Sequence, residues 1–237
     1  MKKTILLTAI LLSFWLGAAA LNIYDVQYTA NRGVDGSYPS SWLGKQVTLE
    51  GVVLATGHRN EGFFLSERIC GAWRGIHVLD SKFSPAAGDF VRLTGDVAEV
   101  FGMTCIRDLN SLQVLDRNRS LPSPVSISSG QLSNPMEAEA YEGVYVRIMN
   151  ASVTGSKGKN GRFTVNDGSG QCAVALQSFG GKASAPSVGT QYAQISGVVT
   201  FSYGEYILNP FSSSGMQLQQ PVSIQNRSWG KIKSIYK

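Results

Sequence analysis

The sequence predicts an all-β chain built from two tandem five-stranded Greek-key barrels joined by a Ser/Pro-rich linker. Three observations carry this. Residues 90–106, FVRLTGDVAEVFGMTCI, return in the same frame as residues 192–208, YAQISGVVTFSYGEYIL. In each copy an alternating apolar run meets a glycine, Gly95 or Gly197, then an aromatic-glycine pair, Phe101-Gly102 or Tyr203-Gly204, and a second β-rich run. Alternation on both sides of a glycine turn is the pattern of a hairpin, and a repeated frame marks a duplicated unit. Beyond the amino terminus no long stretch keeps helical periodicity, while β-branched and aromatic residues and 26 glycines run throughout.

Residues 1–20, MKKTILLTAILLSFWLGAAA, have the charge, apolar core and small-residue order of a cleavable signal peptide. This predicts export, secreted or periplasmic, with no transmembrane span once the signal is removed. Residues 21–43 read as a lead-in strand, on the alternation of Ile23, Tyr24, Val26 and Tyr28, followed by a polar loop. The first barrel spans 44–116. Its opening strand carries Gly51 at the midpoint, where a bend lets both halves serve one closed barrel. The strands GFFLSE and GIHVLD follow, then the 90–106 hairpin, with LNSLQVLD as a further short strand. Residues 117–142 form the linker, in which MEAEAYEG has the makings of a turn or two of helix. The second barrel spans 143–219. Gly44, Gly62 and Phe64 map onto Gly143, Gly161 and Phe163 at an offset of 99, and Gly95 and Gly102 onto Gly197 and Gly204 at 102. Phe64 and Phe163 are expected to fill the two barrels. The tail 220–237 is basic, with Trp229, Ile232 and Tyr236 on one face of a potential helix.

The net charge of +5 is unevenly placed. Residues 21–215 hold 15 basic against 16 acidic side chains, so any phosphate-binding footprint is confined to local patches. Three cysteines in an exported chain suggest a Cys70–Cys105 disulfide, with Cys172 a small buried strand residue. His58, Cys70, His77 and Cys105 lack the short ligand spacing of structural zinc sites. No metal site and no cofactor are therefore expected. With two histidines and no G-x-S-x-G, H-E-x-x-H or phosphate-loop motif, the chain reads as a non-catalytic binding protein. Asp167-Gly168-Ser169-Gly170 reads as a turn between strands.

Strand count and order resemble the OB-fold, a five-stranded Greek-key barrel that binds ligands across its second and third strands and flanking loops. The segments GKQVTLEGVV, EGFFLSE, GIHVLD and GDFVRLTGDVAEVFGMTCI look like the OB-fold modules that accompany large secreted bacterial nucleases. No nuclease domain accompanies them. The resemblance implies binding of single-stranded or flexible nucleic acid; an oligosaccharide or cell-envelope protein is the alternative partner. Candidate contacts in the first repeat are His58 and Arg59 in the loop after the first strand, Arg68, Trp73 and Arg74 in the connector, and Phe101 at the hairpin turn. In the second they are the basic loop Lys157, Lys159 and Arg162, and the aromatics Phe201, Tyr203 and Tyr206. Aromatic platforms beside basic side chains suit stacked bases and their phosphates.

Overall fold

The computed structural model describes residues 21–33, 36–59, 61–156, 162–180, 184–202 and 204–220. The signal-like segment, Lys157, Lys159, Tyr203 and the basic tail lie outside these described residues.

Two barrels are present. The first is closed by β1 (Gln46–His58), β2 (Glu61–Ser66), β3 (Gly75–Leu79), β5 (Met103–Asp116) and β4 (Phe90–Val100), in that order around the wall. Residues 46–52 of β1 pair with β4 and residues 52–58 with β2, so one long strand serves two neighbours from the Gly51–Val52 bend. β3 and β5 run parallel, the crossing that makes the barrel a Greek key. The 101–102 turn has φ of 54° at Phe101 and 80° at Gly102, the left-handed pair of a tight two-residue hairpin. Gly95 sits at a register shift in the β4–β5 ladder, where a Cβ would come within 2.8 Å of Ile106, Leu109 and the Arg107 carbonyl.

The second barrel repeats this order with β7 (Tyr145–Ser156), β8 (Arg162–Asn166), β9 (Gln171–Ala175), β11 (Glu205–Asn209) and β10 (Gln191–Ser202). β9 and β11 are again parallel, β10 pairs with β7 to close the wall, and β6 (Val125–Ser126) and β12 (Met216–Leu218) add to it. Both barrels therefore have the OB-fold arrangement. Asp167-Gly168-Ser169-Gly170 is the β8–β9 turn, pinned by Ser129, whose hydroxyl donates to the Asp167 carboxylate at 2.7 Å.

Several segments depart from the sequence reading. Residues 23–27 form a helix, α1 (Ile23–Gln27), instead of a strand: Asn22 and Asp25 make a capping box, and Ile23 and Val26 turn together into the core of barrel 1. The 117–142 segment is a plug for barrel 2 as much as a linker. Its helices α2 (Ser129–Ser133) and α3 (Pro135–Ala138) bring Leu132 and Ala138, with Ile127, into that barrel's core. LNSLQVLD continues β5 as one strand paired along β4. Cys70, Cys105 and Cys172 are all free thiols, which corrects the disulfide expectation. Cys70 packs against the core of barrel 2 and donates to the Tyr145 carbonyl at 3.2 Å, whereas Cys105 is buried on β5 beside His77 of β3.

The most consequential departure concerns Phe64. The side chains inside barrel 1 are Phe63 and Leu65, matched in barrel 2 by Phe163 and Val165. The bulged pairs Val53↔Leu65 and Val153↔Val165 place these hairpins at an offset of 100. A one-residue slip turns every side chain to the other face of a strand. Phe64 thus points outward, and it is fully buried because the second barrel covers it.

Candidate site between the barrels

The outer face of the β2–β3 hairpin is where an OB-fold usually takes its ligand. Here barrel 2 occupies it. Leu54, Phe64, Met103 and Val198 form an inter-barrel cluster with Tyr145, Phe179, Phe201 and Phe211 around it. His77 stacks on Phe64 with ring centroids 4.4 Å apart, and His58 and Phe179 meet Phe64 edge-on at 5.4 and 6.2 Å. Polar contacts fix the same junction. The Arg59 amide donates to the Ser178 carbonyl at 2.7 Å, the Trp73 amide to that of Ala140 at 2.6 Å, and the Gln27 side chain, which also donates to Gly75 within barrel 1, to that of Glu142 at 3.4 Å. Gly75 and Gly143 let the backbones touch: a Cβ on Gly75 would lie 2.2 Å from the Gly143 carbonyl oxygen.

A second polar knot lies where α3 and the following turn meet barrel 1. Glu142 is buried and accepts the Thr104 amide at 2.9 Å, and Glu139 accepts the Tyr206 hydroxyl at 2.5 Å. Burial pushes the Glu139 carboxyl up to about 7, against the Tyr206 hydrogen bond, which favours the anion. Burial, together with the charge of Glu139, raises Glu142 well above the usual carboxylate value, with the Thr104 amide opposing.

Beside the closed junction the barrels leave a groove. Two adjoining cavities share Phe101 and Phe201 as lining. The smaller, about 100 Å³, is lined by His58, Arg59, His77, Met103, Thr200 and Ser202 among others, with Glu61 as its carboxylate. The larger, about 500 Å³, is lined by Arg32, Ser37, Gly102, Pro135, Gly204 and Tyr206. Phe101 stands at the join, 88% exposed. The Arg59 guanidinium is tethered to Ser202 at 3.3 Å, and Arg32 bonds the Gly36 carbonyl at 3.1 Å. A separate cleft of about 660 Å³ lies on barrel 1, between the β1–β2 turn and residues 80–85, with Arg107, Glu61 and Phe83 on its walls.

Five residues singled out in the sequence, His58, Arg59, Phe101, Phe201 and Tyr206, therefore come together from both repeats. Their exposure differs from expectation. Tyr206 is buried with its hydroxyl committed to Glu139, and His58 is buried among aromatic rings; neither offers an open stacking face. Arg68, Trp73 and Arg74 are elsewhere. The Arg68 guanidinium lies 4.1 Å from the Phe90 ring centroid, Arg74 is ion-paired with Glu67, and Trp73 packs edge-on against Tyr28. Arg162 is paired with Glu205 at 2.5 Å on the wall of barrel 2. Arg32, Phe179 and the Glu139–Glu142 pair were not singled out. The run Phe63-Phe64-Leu65 carried a usable signal, since an unbroken apolar run marks a strand buried on both faces.

No protein-family model matches the chain, and no curated protein matches it. Among solved structures it is similar to the p204 HINb domain, at 14% identity over 72% of this chain and 95% of that one, with a TM-score of 0.29. It is also similar to the tetrameric p202 HIN2, at 12% identity over 75% and 97% with a TM-score of 0.31. A murine DNA-binding protein bound with double-stranded DNA matches at 13% identity over 68% and 90%, with a TM-score of 0.31. These findings correct the resemblance to modules of secreted bacterial nucleases, which does not recur among them. The same comparison corrects the bacterial expectation that came with it and the secreted or periplasmic expectation read from residues 1–20. The class of the chain rests on its own strand order: a protein of two docked OB-fold barrels. Among the described residues no helix is long and apolar enough to cross a membrane, and no group of three or more His, Cys, Asp or Glu is placed to hold a metal ion.

Proposed function

We propose that this chain is a non-catalytic nucleic-acid-binding protein that takes a single-stranded or flexible strand in the groove between its barrels. The observation that carries the reading is Phe101. A phenylalanine 88% exposed at a hairpin tip, in left-handed backbone, has no packing role of its own. It stands where the two cavities join, with Arg59 on one side and Arg32 on the other. A base stacked on such a ring contributes about 1–3 kcal/mol, and the flanking guanidiniums suit phosphates. The near-neutral body limits the phosphates neutralised to a few, so salt dependence is expected to be shallow. An oligosaccharide is the second reading, favoured by the barrel 1 cleft, where Phe83 meets Glu61, Asp80 and Arg107.

Titration of labelled single-stranded DNA, RNA, duplex DNA and an oligosaccharide panel at two salt concentrations tests this. Binding to the single strands is expected, with Arg59→Ala weakening it and lowering the log–log salt slope by roughly 1. Tighter binding to duplex would overturn the single-strand assignment, and oligosaccharide binding alone would favour the second reading. No nucleic-acid binding at low salt sinks the proposal.

A further inference from the structure

We propose that His58 and His77 form a two-imidazole site for a borderline divalent transition-metal ion, of the zinc or nickel class, in the small cavity between the barrels. The two rings are 5% and 4% exposed, with centroids 5.4 Å apart and planes at 88°. Three of their nitrogens, His58 Nε2 and both nitrogens of His77, are buried without a hydrogen bond of good geometry, the Glu61 backbone lying near enough to His77 for a weak one. Buried polar atoms are nearly always satisfied, so orphaned ones call for a partner such as water or an ion. Both rings line one cavity of about 100 Å³, together with the hydroxyls of Thr200 and Ser202 and the thioether of Met103.

The chemistry of these atoms selects a metal over an anion. An imidazole ligates a metal through the lone pair of its neutral form. Both rings are buried, and the Arg59 cation lines the same cavity, a setting that favours the neutral ring. Neutral rings carry no charge to attract an anion. Nitrogen–metal bonds of about 2.0–2.1 Å at tetrahedral angles set two imidazole centroids roughly 5 Å apart, close to the spacing here. Among the described residues no third carboxylate, thiol or imidazole stands close enough to complete a set. Solvent fills the other positions, under the roof that β10 contributes from barrel 2.

The rings are positioned for this by packing that does not depend on the ion. His77 is stacked on Phe64, and His58 is held between Phe64 and Phe179. Phenylalanine at either position therefore conserves the aromatic contacts and removes only the nitrogens. Chelator-stripped full-length chain is titrated with ZnCl₂ and NiCl₂ by calorimetry, alongside His58→Phe, His77→Phe and the double variant, each checked for folding by circular dichroism. One ion per chain is expected, held at least tenfold more weakly by either single variant. Equal binding by the wild type and the double variant overturns the proposal, as does the absence of binding by the wild type, which leaves water as the partner of these nitrogens. The Cu(II)-loaded wild type provides a test free of variants. Hyperfine structure from two imidazole nitrogens is expected in its electron paramagnetic resonance spectrum, and a spectrum without nitrogen coupling overturns the assignment.

Discussion

Replacing Phe64 by alanine is expected to cost about 3–5 kcal/mol, the usual range for emptying a fully buried phenylalanine site. The loss falls between the barrels, because Phe64 is the centre of the cluster that joins them and Phe63 is the residue that fills barrel 1. Urea unfolding reads the effect. The wild type is expected to unfold in one transition, since the Gly75–Gly143 contact, the Gln27 bond to the Glu142 carbonyl and the aromatic cluster make a single cooperative body. Phe64→Ala weakens that coupling, so its unfolding should begin at lower urea and separate into two steps. Phe63→Ala lowers the midpoint by a comparable amount and leaves the docking surface intact. A Phe64→Ala chain within about 1 kcal/mol of wild type would show that the barrels are not held together through this ring.

The second large effect is a dependence of stability on pH with opposite signs on its two limbs. Glu139 titrates at about 7 in the folded chain and near 4.5 when unfolded, so between these values the folded state holds the extra proton. Its contribution is fully present below the unfolded value and is lost as pH rises through about 7. The shift corresponds to about 3 kcal/mol at full titration. Glu142 acts in the same direction. His58 and His77 act oppositely: folded values of about 4 and 3 lie below the usual 6.5, so between them the unfolded state binds more protons and stability falls as pH drops. The two windows overlap between about 4.5 and 6.5, where their slopes offset, so a broad maximum is expected on the acid side of neutrality, with loss to histidine protonation below it and to carboxylate ionisation above it. Thermal melts from pH 4 to 9 check this, and Glu142→Gln should flatten the alkaline limb, because an amide cannot ionise and its oxygen can still accept the Thr104 amide. An unchanged alkaline limb in that variant would assign the loss to other groups.

What was legible in the chain were the features that repeat locally. The hairpin turn at Phe101-Gly102, the bend at Gly51 and the irregularity at Gly95 each have a residue-level cause within a few positions. The 23–27 helix was not legible, since five residues with apolar Ile23 and Val26 fit a strand as readily as a single helical turn. The inter-barrel contact was hidden for a different reason. It brings residues near position 64 against residues near 179, 198 and 211, and pairing over that sequence distance leaves no periodic mark. The face of Phe64 depended on a register difference of a single residue, which repeat alignment by glycines does not resolve. Phe101 and Arg59 can be singled out as candidates because turn residues and loop cations are set locally, whereas the groove that lies between them has no local mark.

The most direct test of the account compares two aromatic residues that the sequence alone treated alike. Phe101 stands exposed in the groove, whereas Trp73 is engaged with Tyr28 and with the Ala140 carbonyl. Fluorescence anisotropy with a labelled single-stranded oligonucleotide is expected to show Phe101→Ala binding roughly 5- to 150-fold more weakly, the range that corresponds to about 1–3 kcal/mol of stacking. Trp73→Phe should bind as the wild type does. Unchanged binding by Phe101→Ala together with loss in Trp73→Phe would contradict the account and move the ligand out of the groove between the barrels.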